Sequence, residues 1–166
     1  MVIRFLSKVD EWKDFSNLSS HKIEMEGRTW KSVEHYYQYK KFEKSDKEFA
    51  EIIRETSTPR NAKMLAMKNN NFPKTWFKEN MTILEEAVTK KFESHPKLAE
   101  FLLSTKNQEL IEANPDDYFW GEGKDGTGKN MMGKLLMKVR TNLKKQSQEK
   151  NSAEQNNKSY FKVDKS

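Results

Sequence analysis

The sequence predicts a helix-rich α+β fold, a single domain with a small sheet near its N-terminus. Three observations carry this. A short apolar run, Val2 to Leu6, opens the chain and reads as a strand. An alternating stretch follows, with Ile23 and Met25 set against Glu24 and Glu26, and Gly27 turns the chain. From Ser32 onward, apolar residues recur at helical spacing over most of the sequence.

The helices follow in order. Ser32 caps a helix through VEHYYQYKKF, and a shorter one covers about residues 46–55. Thr58 before Pro59 is a helix start with proline at the first helical position. That third helix ends in Asn69, Asn70 and Asn71, before Pro73. Thr75 then caps the longest stripe, in which Phe77, Met81, Leu84, Val88 and Phe92 recur every three or four residues. Pro96 ends that helix or restarts it as a short one over about 97–104. ELIEAN leads into Asn114 and Pro115 with no element assigned. Met132, Leu135, Leu136, Val139 and Leu143 form the last amphipathic helix. The domain therefore covers residues 1–143, and 144–166 read as a flexible polar tail with few apolar groups to bury. Its Tyr160, Phe161 and Val163 can dock back or meet a partner.

Composition narrows the function classes. There is no cysteine, which excludes disulfides, a thiolate nucleophile and Cys-ligated zinc. Neither a signal-peptide core nor a membrane-length apolar run is present, so the chain reads as soluble and cytoplasmic. The net charge is +6. Residues 144–166 hold six Lys against Glu149, Glu154 and Asp164, a local +3, and the first 143 residues carry the other +3. A domain so weakly charged has no strong electrostatic footprint for nucleic acid, although anionic small ligands suit it.

Two places can hold chemistry. On the helix after Ser32, Glu34, Gln38 and Lys41 fall within an arc of roughly 60°, beside Val33, Tyr36 and Tyr37. Such a polar stripe is either a solvated face or the lining of a cleft where carboxylate, amide and amine converge. The second place is WGEGKDGTGKN, which holds Gly121, Gly123, Gly126 and Gly128, four of the six glycines. Glycine allows close backbone approach, and the helix N-terminus that follows favours anions, so the turn is a candidate phosphate cradle or a plain turn. Gly123 to Lys129 spells GxxxxGK, but Asn130 stands where a P-loop needs Ser or Thr. No strand ending in Asp follows, so a nucleotide triphosphatase is rejected. His21, His35 and His95 form no zinc spacing.

Taken together these motifs resemble the YbiA/NADAR family. The match runs through Phe15-Ser16-Asn17, Gly27, Ser32-Val33-Glu34-His35-Tyr36-Tyr37-Gln38 and Lys41. It continues in Lys91-Phe92, Leu110-Ile111-Glu112, Asn114-Pro115 and Asp117. Trp120-Gly121, Gly123, Asp125-Gly126, Gly128, Asn130, Gly133, Leu136-Met137 and Arg140 complete it, over residues 3–143. IEMEG and Trp30 depart from the common pattern without touching the motif residues.

The resemblance implies an N-glycosidase acting on ribose phosphates. The implied substrates are the reactive ribosylamino-pyrimidine phosphates of riboflavin synthesis or, alternatively, ADP-ribose attached to guanine in nucleic acid. A module that binds ADP-ribose or a nucleotide without cleaving it is the rival from another class. The implied catalytic residues are Glu34, Lys41 and Asp117, with Lys41 either a cationic grip or a Schiff-base nucleophile. Asn17, His35, Gln38, Trp120, Gly121, Gly123, Gly128 and Asn130 are the implied substrate-binding residues. No cofactor and no metal is required by this scheme.

Overall fold

In the computed structural model, residues 1–8 and 11–163 are described, with side chains through residue 156. Strand β1 (Val2–Phe5) pairs in parallel with β4 (Glu109–Glu112), Val2 opposite Glu109 and Phe5 opposite Glu112. Strands β2 (Ile23–Met25) and β3 (Arg28–Trp30) form a separate antiparallel hairpin. Its two turn residues, Glu26 and Gly27, have φ of 54° and 71°, the backbone that a tight hairpin of matching twist demands. The small sheet of the sequence reading is thus two pairs, and one contains a strand drawn from residues 109–112. That strand is short and its partner lies at the other end of the chain, so no local signal announces it.

Among the described residues a 3-10 turn (Lys13–Phe15) and six α-helices follow: α1 (Val33–Phe42), α2 (Lys47–Glu55), α3 (Pro59–Met67), α4 (Trp76–Ser94), α5 (Pro96–Ser104) and α6 (Met131–Val163). The first three begin at side-chain caps. Ser32 accepts from the His35 N–H, Asp46 from Phe49 and Thr58 from Asn61, each satisfying a backbone donor that the helix leaves free. Helix α1 is central and packs against α2, α3 and α4, while α6 lies across β4 and against α4 and α5. The core between them is built from Phe5, Phe15, Trp30, Tyr36, Phe42, Leu84, Phe92 and Leu136 among others.

Two helices differ from the sequence reading. Thr75 is itself helical and makes no side-chain cap, and Phe77 is 70% exposed. Its neighbour Trp76 takes the buried place, so the inward stripe runs Trp76, Asn80, Leu84, Val88, Lys91 and Phe92. Adjacent aromatics leave the phase of a helix open, and the bulkier indole wins the interior. Helix α6 continues past Leu143 to Val163 instead of ending there. No glycine or proline interrupts residues 144–163, Gln146 reaches Glu93 on α4, and side chains 144–156 are all exposed. Tyr160, Phe161 and Val163 lie outside the described side chains.

Gly133 sets the approach of α6 to β4. A Cβ there would overlap the Leu110 carbonyl and the Asn130 amide. Both obstacles belong to one ladder, since Asn130 Nδ2 donates to that same carbonyl at 2.8 Å. Gly133→Ala is therefore expected to lower stability by about 3 kcal/mol or more, through strain of the overpacking kind. Urea unfolding checks this; a loss below about 1 kcal/mol, within the range of ordinary core swaps, would mean α6 shifts freely.

Candidate active site

The first wall of the site is the polar stripe of α1. Glu34 is 6% exposed and Gln38 8% exposed, so this stripe is not a solvated face. Gln38 Nε2 donates to Glu34 Oε1 at 2.8 Å, a contact that the i, i+4 spacing provides. Gln38 Oε1 is buried with no hydrogen-bond partner. Burial pushes the Glu34 carboxyl up, opposed by the Gln38 hydrogen bond and by the charges of Lys63 and Lys41. Lys41 is pushed down by burial, with Glu34 opposing. Its ammonium stands 4.0 Å from the centre of the Phe72 ring and 5.3 Å from that of Phe42. A half-desolvated amine over aromatic faces is a cation poised for an anionic or electrophilic partner.

The second wall is the end of β4 and the loop after it. Glu112 is half-buried, and burial pushes it up to about 7, with Asp117 and Glu34 adding to the rise and Lys63 opposing it. Asp117 Oδ1 accepts from the N–H groups of Phe119 at 2.9 Å and Trp120 at 2.7 Å. That turn fixes Trp120, whose ring meets Tyr37 edge to face at 6.1 Å. Tyr37 also packs on Trp76 at 4.9 Å and bonds Asn80. Its hydroxyl is pushed up by burial and by the charges of Glu34 and Asp117. Three carboxyls from two separate parts of the chain therefore act on one another across a small space. An aromatic wall and two lysines border that space.

The structure brings together Glu34, Gln38, Lys41, Asp117 and Trp120 in this way. It places the other sequence candidates elsewhere. His35 is fully buried, with Nδ1 at 2.8 Å from Ser32 Oγ and Nε2 at 3.1 Å from the Thr56 carbonyl. Nδ1 is engaged with the cap of its own helix and Nε2 joins α1 to the end of α2, so none is free for a ligand. Asn130 is a strut: Oδ1 accepts from the Glu112 N–H at 2.9 Å while Nδ2 holds Leu110.

The glycine turn folds back on its own loop. The N–H groups of Gly128, Lys129, Asn130, Met131 and Met132 donate to carbonyls of Glu122, Tyr118, Gly121, Phe119 and Trp120 at 2.7–3.0 Å. The start of α6 is thus closed by its own loop. A Cβ at Gly121 would crowd the Asn114 and Asp117 carbonyls, one at Gly123 the Tyr118 ring, and one at Gly128 the Gly121 carbonyl. The close approach that glycine permits is to this chain itself.

Asn17 occupies an intermediate position. Nδ2 contacts Met132 Sδ at 3.4 Å, and Oδ1 is buried without a partner. Lys91 holds its loop. This residue of α4 is 1% exposed and donates to the Asp14 carbonyl at 2.6 Å, the Ser16 carbonyl at 2.9 Å and Ser19 Oγ at 2.6 Å.

Sequence reasoning missed Glu112, Lys63, Tyr37, Asn80 and Lys91 as parts of the site. A signal existed for two of them. Glu112 lies two residues from the buried Leu110, hence on the same face of a strand. Lys91 sits inside an apolar stripe, where a lysine is out of place. Among the described residues no group of three or more His, Asp or Glu is arranged to hold a metal, and no helix is long and apolar enough to cross a membrane. Two open grooves of about 400 and 570 Å³ lie elsewhere, between α1 and α4 and along α4. In the first, charges pair with each other, as in Lys40–Glu26 and Lys44–Glu79, and neither groove holds Glu34, Gln38 or Lys41, so we place the chemistry at the clustered carboxyls.

A helical α+β body that gathers one buried and two half-buried carboxyls, a half-desolvated lysine and an edge-on indole holds groups suited to bond hydrolysis. Residues 4–144 match the NADAR domain, and the chain belongs to that family. It is 37% identical over 143 residues to the N-glycosidase YbiA of Escherichia coli K12, covering 86% of this chain and 88% of that one. An N-glycosidase of Nostoc punctiforme is 37% identical over 146 residues, covering 87% and 94%. The chloroplastic riboflavin biosynthesis protein PYRR of Zea mays is 34% identical over 156 residues, which are 25% of its length. The NMR structure of E. coli YbiA superposes with a TM-score of 0.80 at 36% identity, over 89% of this chain and 88% of that one.

Proposed function

We propose that this enzyme, a hydrolase of N-glycosyl bonds like its named relatives, acts on the ribosylamino-pyrimidine phosphate intermediates of riboflavin biosynthesis. The observation that carries the reading is Glu34, a buried carboxyl held by Gln38 and facing Lys41 and Lys63. Relatives named as riboflavin biosynthesis proteins in maize and in Vibrio vulnificus support the substrate class. A cytoplasmic setting belongs to the same reading.

Cleavage passes through an oxocarbenium-like state at the anomeric carbon. Glu34 supplies the counter-charge on one face of the sugar and takes a proton from the attacking water. The unpartnered oxygens Gln38 Oε1 and Asn17 Oδ1 are acceptors for ribose hydroxyls, which carry the donors they lack. Trp120 and Tyr37 flank the heterocycle, and Asp117 holds Trp120 in place. With the glycine turn closed, Lys41 and Lys63 take the phosphate. This assigns Lys41 the cationic role rather than that of nucleophile.

Tyr118 and Phe119 are exposed beside Trp120, and the Lys129 ammonium lies 5.6 Å from the Phe119 ring. That rim suits base stacking and favours, as a second reading, removal of ADP-ribose from guanine in nucleic acid. Both substrates should be offered side by side and product release followed by mass spectrometry. Cleavage of the ribosylamino-pyrimidine phosphate is expected; cleavage of the ADP-ribosylated oligonucleotide alone would overturn the first reading in favour of the second.

A further inference from the structure

Glu112 has a fixed backbone and a free side chain. Its N–H donates to Asn130 Oδ1 at 2.9 Å, and its carbonyl accepts from the Glu122 N–H at 3.0 Å. Opposite it in the β1–β4 pair stands Phe5, whose carbonyl takes the next N–H, that of Ala113, at 2.9 Å. The point from which the carboxyl projects is therefore held on every side. The carboxyl itself has no hydrogen bond and no ion pair among the described residues.

Charged groups face it from three elements: Asp117 from the following loop, Glu34 from α1 and Lys63 from α3. Burial above all, with two like charges set against one cation, raises this carboxyl well above the ordinary carboxylate range. Glu34 differs. Burial raises it too, as the largest influence, but a hydrogen bond from Gln38 and the charges of both Lys63 and Lys41 oppose that rise and favour the ionised form. When neighbouring carboxyls share too few protons, the proton stays on the one with no donors and fewer cations. That one is Glu112, and burial with its neighbours holds it at about 7.

We propose that Glu112 is the general acid of this site, protonating the nitrogen that leaves the anomeric carbon. The inference rests on the hydrolytic reading above. As the C–N bond breaks, its electron pair goes to nitrogen, which takes the proton from Glu112. Water adds its oxygen to the anomeric carbon and gives one proton to Glu34. That proton returns to Glu112 through solvent, so both carboxyls end as they began. The departing amine needs a proton, since as an amide anion it is a poor leaving group.

Two experiments test this. The first needs no substrate: carbon-13 NMR of the glutamate carboxyls, with pH varied, in the wild type and in Glu112→Gln. A carboxyl titrating near 7 in the wild type and missing in the variant is expected; its absence from the wild type would overturn the proposal whatever the reaction. The second is the pH profile of kcat/KM on the ribosylamino-pyrimidine phosphate. The wild type should lose activity on the alkaline side with an apparent midpoint near 7. Glu112→Gln should lose about 10²–10⁴-fold at the optimum and lose that limb, while Glu112→Asp keeps the limb at a reduced rate. Retention of the rate and the alkaline limb in Glu112→Gln would overturn the proposal. If the wild type cleaves no ribosylamine although the carboxyl titrates, the hydrolytic reading fails and takes the acid role with it. Thermal melts of the variants separate these outcomes from misfolding, and the unbonded side chain makes a fold defect unexpected.

Discussion

Glu34→Gln is expected to lower kcat about 10³-fold at neutral pH with little change in the unfolding midpoint. The substitution keeps the shape and keeps an oxygen to accept from Gln38 Nε2, so α1 loses no contact that holds it. What disappears is the charge. A developing oxocarbenium beside a buried carboxylate depends on that charge far more than a solvated one would. A second consequence follows from the coupling to Lys41. Glu34 raises the Lys41 pKa against the effect of burial, so removing the carboxylate lowers it further. Lys41 should then react faster with an amine-selective reagent at a given pH below its wild-type midpoint. An unchanged kcat would remove Glu34 from the chemistry. An unchanged Lys41 reactivity alongside a lost kcat would mean that the two groups are not in electrical contact during the reaction.

The parts of this molecule legible in the sequence are those written locally. Ser32, Asp46 and Thr58 announce their helices because a cap is a contact between residues three apart. Glu34, Gln38 and Lys41 were legible as a set because one helix carries all three at i, i+4 and i+7. Glu112 and Lys63 were not, since they reach the same space from a strand and another helix, and only the fold joins them. The parallel pairing of β1 with β4 spans more than a hundred residues, and its short strands have no pattern of their own. The glycines are ambiguous in the sequence for a different reason. A sequence shows that the backbone can approach something closely but not what it approaches, and here Gly121, Gly123 and Gly128 meet their own loop. Past Leu143 the last helix has no apolar stripe, so periodicity fell silent while the helical backbone went on.

Lys91→Ala is expected to cost about 3–5 kcal/mol of stability. Few substitutions in this chain remove as much at once. The ammonium offers three donors, and the Asp14 carbonyl, the Ser16 carbonyl and Ser19 Oγ accept all three inside the protein. Truncation leaves those acceptors without donors and opens a cavity beside Phe92. Lys91→Met keeps the packed stem and isolates the polar part, so its cost should be smaller, about 1–3 kcal/mol. The pH dependence has a definite sign. Burial pushes Lys91 down to about 7, opposed by the Asp14 charge, whereas an unfolded lysine titrates at about 10.4. Between these values the unfolded chain binds more protons, so the lysine makes stability rise with pH through that window. Below 7 both states are charged and its contribution no longer changes. Urea unfolding at pH 6, 7.5 and 9 should show that rise in the wild type and a flatter curve in Lys91→Met. The loop held by Lys91 carries Asn17, whose unpartnered Oδ1 is one of the two acceptors offered to the ribose. Loosening it should raise KM several-fold and leave kcat nearly unchanged, because the carboxyls stand on other elements. If Lys91→Met matches the wild type in stability and KM, the ring packing of Phe15 on Phe5, Phe92, Phe101 and Trp12 holds the loop unaided.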